Sequence, residues 1–182
     1  VVEESFVRLG FPHAWIGLAE IAAQRGPDQD NFVYFSLDLS SPAQARVKVY
    51  LRHYDATVAD LEKALSLADN YVAGDATEFC QALTQQQELF TSKPIVSCFS
   101  FIEGNKDRPS SGTLYVPIGH YTSSDLVVSD RIHQYFIQHS LSSTTYDRAL
   151  QAFAIRPLNS GCGMHSHISI QRKQQQCWVT VY

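Results

Sequence analysis

Methionine occurs once in 182 residues, at Met164, and the chain opens on Val1-Val2-Glu3-Glu4 rather than on an initiator. It stops at Tyr182, inside an alternating strand pattern. Both ends predict a piece of a longer chain. Long apolar runs are missing too: none approaches the roughly 18 residues of a membrane span, and no charged-then-apolar leader opens the sequence. Charge is scarce, 18% of residues, and the net charge is −4. No global basic field therefore recruits nucleic acid, and a basic site has to be local. Cys80, Cys98, Cys162 and Cys177 form no C-x-x-C pair and read as reduced thiols of a cytoplasmic protein. No low-complexity stretch or linker divides the chain, so residues 1–182 are expected to be one domain. With 45% hydrophobic residues it can bury a substantial core.

The chain reads as helix, two strands, helix, three times over. A first helix spans Pro12–Arg25, stopped by Gly26-Pro27. A strand is expected over 31–39, then a turn at Ser40-Ser41-Pro42, then a strand from Ala45. Thr57, with Asp60 three residues on, reads as the N-cap of a helix carrying Val58, Leu61 and Leu65 on one face. Another helix is expected over 75–90. Strands follow at 95–102 and 113–118, joined by a glycine-bounded 104–112 surface loop. Ser124 and Ser143 head helices reaching about 139 and 155, and the last strands are expected at 165–171 and 176–182.

The most informative stretch is 45–50, Ala-Arg-Val-Lys-Val-Tyr. Side chains on a strand alternate, so Arg46, Lys48 and Tyr50 share one face while Val47, Val49 and Leu51 share the other. Two cations and a phenol stacked roughly 7 Å apart suit a bound polyanion such as a diphosphate. An ordinary solvated strand face has the same composition. Other strands repeat the design. Leu114, Val116 and Ile118 oppose Thr113, Tyr115 and Pro117; Ile168 and Ile170 oppose His165, His167, Ser169 and Gln171; Cys177, Val179 and Val181 oppose Trp178, Thr180 and Tyr182. In the first strand Val33, Phe35 and Leu37 oppose Phe32, Tyr34, Ser36 and Asp38. One sheet face is thus aliphatic and wants helices over it. The other is polar, basic and aromatic, facing either solvent or a barrel lumen. Five large aromatics (Tyr34, Tyr50, Tyr115, Trp178 and Tyr182) favour the lumen.

Arg-x-Lys-x-Tyr at 46–50, Thr-Leu-Tyr-Val-Pro-Ile at 113–118 and a final strand ending aromatic-x-x-x-Tyr at 178–182 resemble the dimethylallyltryptophan synthase family of aromatic prenyltransferases. The likeness runs from about residue 3 to 182 and is closest over 34–53, including Ser36-Leu37-Asp38-Leu39-Ser40. It implies an α+β fold: an antiparallel β-barrel of repeated α-β-β-α units with helices outside, present here as an incomplete six-strand, C-terminal portion. It also implies transfer of a dimethylallyl or similar group from its diphosphate to an indole such as tryptophan or a tryptophan-containing peptide, without metal or cofactor. The expected partners are therefore a prenyl diphosphate and an aromatic acceptor, with no nucleic acid and no membrane.

Carried over residue by residue, Arg46 and Lys48 match the family's diphosphate-binding cations, while Tyr50, Tyr115 and Tyr182 match its carbocation shield. Tyr115 and Tyr182 also reach the diphosphate. Thr113 stands where some members have a diphosphate-binding Gln, and Trp178 where a shield Tyr is common; Trp keeps the π face but loses the phenol. The general base, a Glu, is expected upstream of Val1. The residue types fit the chemistry. Cations stabilise the departing anion, and tyrosines offer hydrogen bonds, a π face to the allylic cation and a screen against water. The chain has no Asp-Asp-x-x-Asp metal signature. A non-catalytic barrel or open sheet binding a phosphorylated or aromatic ligand is the competing reading.

Weaker signals accompany these. Asp28-x-Asp30 beside Gly26-Pro27 reads as a solvated turn. His165 and His167, with Tyr34, are assigned to the acceptor pocket, against plain lumen hydrogen bonding or a zinc site lacking further ligands. Cys162 and Cys177 lack activating neighbours.

Overall fold

The computed structural model describes residues 2–38, 41, 45–85, 89–103, 107–174 and 176–182. Twelve helices and strands alternate in pairs among them: α1 Val2–Arg8, α2 Pro12–Arg25, β1 Asp30–Asp38, β2 Arg46–His53, α3 Val58–Leu65, α4 Asp75–Thr84, β3 Ile95–Ile102, β4 Ser111–Val116, α5 Asp125–Gln138, α6 Thr144–Phe153, β5 Ile168–Lys173 and β6 Gln176–Val181. The strands make one antiparallel sheet in chain order, β1-β2-β3-β4-β5-β6, with β1 and β6 at its edges.

Two apolar clusters join helices to a single sheet face. Under α1 and α2, Phe6, Phe11 and Leu18 pack on Val47, Val49, Phe99 and Phe101. Under α3, α4 and α5, Leu61, Phe79, Leu83 and Ile132 pack on Leu114, Val116, Ile168 and Ile170. Each such side chain, fully removed from water, stabilises the layer contact by roughly 1.5–3 kcal/mol. Alternation in β3, which the sequence leaves ambiguous, resolves the same way. Ile95, Phe99 and Phe101 are at most marginally accessible and belong to the helix side, whereas Cys98 and Ser100 stand beside Tyr50 and Lys48.

Local chemistry sets the boundaries. Gly26 caps α2 at φ 86°. Thr57 and Asp60 form a reciprocal capping box on α3: Asp60 N donates to Thr57 Oγ1 at 3.2 Å and Thr57 N to Asp60 Oδ2 at 2.8 Å. Ser124 Oγ accepts from Val127 N on α5.

Several expectations are corrected. The short α1 was not anticipated. The helix expected over 75–90 ends at Thr84, where Gln85 turns left-handed at φ 53°, and Phe90 pairs with Ala56 instead. Ser143 does not cap α6 through the backbone, because its hydroxyl donates to Asp147 at 2.7 Å. β4 stops at Val116, since Pro117 has no N–H to continue the ladder. A register shift between Phe32 and Tyr34 in β1 turns Phe32 toward the helices, where its ring lies 4.9 Å from that of Trp15. Asp30 is not in a solvated turn: it is buried and takes Arg25 Nη1 at 2.6 Å and the His53 ring at 2.8 Å. Ser40 and Pro42 of the expected turn, Leu39, and Gly104-Asn105-Lys106 of the expected surface loop lie outside the described residues. The rest of that loop is tied down, with Arg108 donating to the Ser66 and Leu67 carbonyls.

Candidate functional site

β2 is a strand because Val47 and Val49 are β-branched and its odd-numbered residues are buried throughout. That burial obliges Arg46, Lys48 and Tyr50 to the opposite face. Neither cation is alone there. Asp38 lies directly across from Arg46 in the β1–β2 ladder. One carboxylate oxygen, Oδ2, accepts from Arg46 Nη2 at 2.6 Å, Arg46 Nε at 3.0 Å and Lys48 Nζ at 2.8 Å. The Lys48 hydrogen bond, helped by Arg46 and opposed by partial desolvation, holds the Asp38 carboxyl below its usual range. Lys48 is the more sheltered cation, its side chain 22% exposed against 43% for Arg46.

From Lys48 the face continues as a file of phenols. Tyr34 meets Tyr50 edge-on at 5.9 Å between ring centroids, Tyr50 meets Tyr115 at 6.3 Å, and Tyr115 meets Tyr182 at 5.9 Å. Four strands contribute one ring each, or a residue just past the strand end in the case of Tyr182. Burial, then Cys98 beside it, pushes the Tyr50 phenol up to about 12, against a smaller lowering by Ser36. Burial, then Cys98 and Tyr182, pushes Tyr115 up strongly as well. Both phenols therefore keep their protons at neutral pH and can donate to an anion.

Thr113 is buried on β4 beside Cys98 and opposite Gln171 of β5. Gln171 thereby places an amide side chain beside Thr113 on the polar face. Trp178 lies across from Gln171 and is half exposed, with Lys173 Nζ 4.3 Å above its ring. Lys173, the last residue of β5, is a further cation of this face, as is Arg52 on β2. His167 stays with the tyrosines, its carbonyl accepting Tyr182 N at 2.9 Å. Burial, with His120 and Lys93 nearby, lowers its imidazole below the usual value.

His165 does not join them. It precedes β5 and is buried on the helix side, where Nδ1 meets Asp125 Oδ1 and Nε2 meets the Tyr146 hydroxyl, both at 2.9 Å. Its two nitrogens are thus engaged, which removes it from the acceptor pocket and from any metal pair with His167. Asp125 also takes Arg156 Nη2 at 2.6 Å and the amides of Met164 and His165. Those hydrogen bonds outweigh the desolvation that would raise it and hold its carboxyl below the usual range. A similar cluster sits in the first repeat, with Ser97 from the second: Asp30, His53 and Ser97 in line at 2.8 and 2.9 Å, with Arg25 on Asp30. That order is the one a nucleophilic serine uses, but all three residues are buried and no substrate reaches the hydroxyl. Both clusters bind helices to sheet.

What the face can do follows from its parts. Fixed cations and neutral phenols converge on one strip, suited to an anion at the Arg46–Lys48 end and to an aromatic or cationic group along the rings.

A profile described as tryptophan dimethylallyltransferase matches residues 14–149. A 7-dimethylallyltryptophan synthase of Aspergillus fumigatus is 21% identical over 204 residues, covering 98% of this chain and 40% of that protein. Among solved structures, 6-dimethylallyltryptophan synthase from Micromonospora olivasterospora in complex with DMASPP and Trp is 32% identical, with a TM-score of 0.88, over 99% of this chain and 51% of that one. The prenyltransferase PriB, in its binary complex with product diphosphate, is 30% identical with a TM-score of 0.84, over 99% and 49%. The chain spans about half the length of the relatives it matches.

Proposed function

This chain belongs to the tryptophan dimethylallyltransferase family, and from that premise we propose that it is the C-terminal portion, a single domain over 1–182, of an indole prenyltransferase. Its six strands form part of a helix-ringed antiparallel barrel, with the polar face turned to the lumen. The complete protein moves a dimethylallyl group from its diphosphate to an indole such as tryptophan.

In this reaction the allylic C–O bond breaks and its electron pair leaves with the diphosphate. Arg46 and Lys48 stabilise that anion by charge-assisted hydrogen bonds, with Tyr115 and Tyr182 as neutral donors and Thr113 beside them. The rings of Tyr50, Tyr115 and Tyr182, extended by Trp178, face the carbocation and keep water from it. An indole carbon then forms the new C–C bond, and the ring proton goes to a base outside these residues. Tyr34 and His167 are assigned to the acceptor side. Protein cations provide the charge, so turnover is expected without added metal. Scattered thiols without pairing motifs suit a cytoplasmic setting, and among the described residues no helix is long and apolar enough to cross a membrane.

The observation that carries this reading is the unbroken file of tyrosine rings beginning beside the Arg46–Lys48 pair. A plain phosphate-binding sheet needs the cations and has no use for the file. The test is to incubate the complete protein with dimethylallyl diphosphate, tryptophan and a chelator, and to follow prenylated tryptophan by mass. Diphosphate binding with no prenylated product would favour the binding-module alternative.

A further inference from the structure

We propose that Asp38 is an internal counter-anion that competes with diphosphate for Arg46 and Lys48, holding the cation pair in the empty site and yielding it to the diphosphate. The inference rests on the diphosphate reading above. Its basis is that a single oxygen, Oδ2, receives donors from both cations at 2.6–3.0 Å. That atom occupies the point where the two positive side chains converge, which is also where a phosphate oxygen bridging them would lie.

The alternative is that Asp38 only orients the cations. The ladder makes this unnecessary. Arg46 is paired to Asp38 on one side and Ile102 on the other, and Lys48 to Ser36 and Ser100, so backbone register fixes where both side chains start. Asp38 is also free to give way. It is the last residue of β1, and its side chain is partly exposed. A diphosphate on the cations would sit beside the carboxylate as a like charge. Binding therefore requires Asp38 to surrender its donors, and release is assisted when it takes them back.

The experiment uses the complete protein and inorganic diphosphate as the probe, with affinity measured calorimetrically at fixed ionic strength for the parent, Asp38→Asn and Asp38→Ala. Asn keeps the shape and an acceptor oxygen but removes the charge. The expected result is diphosphate binding tightened by roughly fivefold in Asp38→Asn, the upper part of the range for one partly exposed ion pair, and at least as much in Asp38→Ala. As a product inhibitor, diphosphate should become more potent by a similar factor. Equal or weaker binding in both variants, with the parent binding normally, would overturn the competition and leave the diphosphate site intact. No binding by the parent would instead refute the diphosphate reading itself, and this inference with it.

Discussion

Tyr115 is the residue whose replacement separates a carbocation shield from a decorative aromatic strip. It stands between Tyr50 at 6.3 Å and Tyr182 at 5.9 Å, so removing its ring breaks the file in the middle. On the proposed reading, Tyr115→Ala empties space for a few waters, each taking roughly 30 Å³, beside the reacting carbon. On that reading it also removes a cation–π contact that would contribute about 2 kcal/mol in a desolvated site, or roughly 30-fold in the partition of the cation. Tyr115→Phe keeps the ring and loses only the phenol, whose hydrogen bond to a charged acceptor contributes about 1.5–3 kcal/mol. In the complete enzyme the assay is the ratio of prenyl alcohol to prenylated indole per diphosphate released. Ala should raise that ratio by an order of magnitude or more. Phe should hold it near the parent value while weakening diphosphate affinity. A ratio unchanged in both variants would mean that the tyrosines line the face without guarding anything.

Two further outcomes are expected. Lys48→Ala should cost about 3–4 kcal/mol in kcat/KM and Arg46→Ala nearer 2, because Lys48 is the more sheltered of the two; steady-state kinetics giving parent-like values for both would refute their role. Asp125→Ala should destabilise the fold by about 2–4 kcal/mol in urea titration at neutral pH, since it takes the acceptor from the buried His165 imidazole and from the Met164 and His165 amides and removes the ion pair with Arg156. Because the folded carboxyl of Asp125 lies below its ordinary value of about 3.9, its contribution is present above that pH and is lost as pH falls through the lower folded value. A loss below 1 kcal/mol would contradict this.

The sheet face was legible because alternation at Arg46, Lys48 and Tyr50 depends only on strand period, and the buried valines between them fixed which side was which. Alternation fails wherever the strand does. Phe32 was misassigned because a bulge before Tyr34 inserts a residue that no periodic rule foresees. His165 was misassigned because alternation was carried three residues beyond the start of β5, into a segment whose direction is set by Asp125 forty residues away. Asp38 lay in plain view on the correct face, yet its partnership with Arg46 and Lys48 depends on cross-strand register, which local sequence does not encode. The Asp–His–hydroxyl clusters are hidden for the same reason. Each draws residues from separate elements, and neither Ser97 nor Tyr146 carries a local mark of its partner.

The sequential order of the six strands has a kinetic consequence. Every pairing joins a strand to its immediate predecessor in the chain, so relative contact order stays low for so β-rich a protein and loop closure spans only one helix pair at most. At a synthesis rate of roughly 5–20 residues per second, each strand emerges with its docking edge already built, and the sheet can extend one hairpin at a time without waiting for distant sequence. Among the described residues β1 and β6 are each paired on one side only, so the backbone groups on their other sides are where the ladder can still extend.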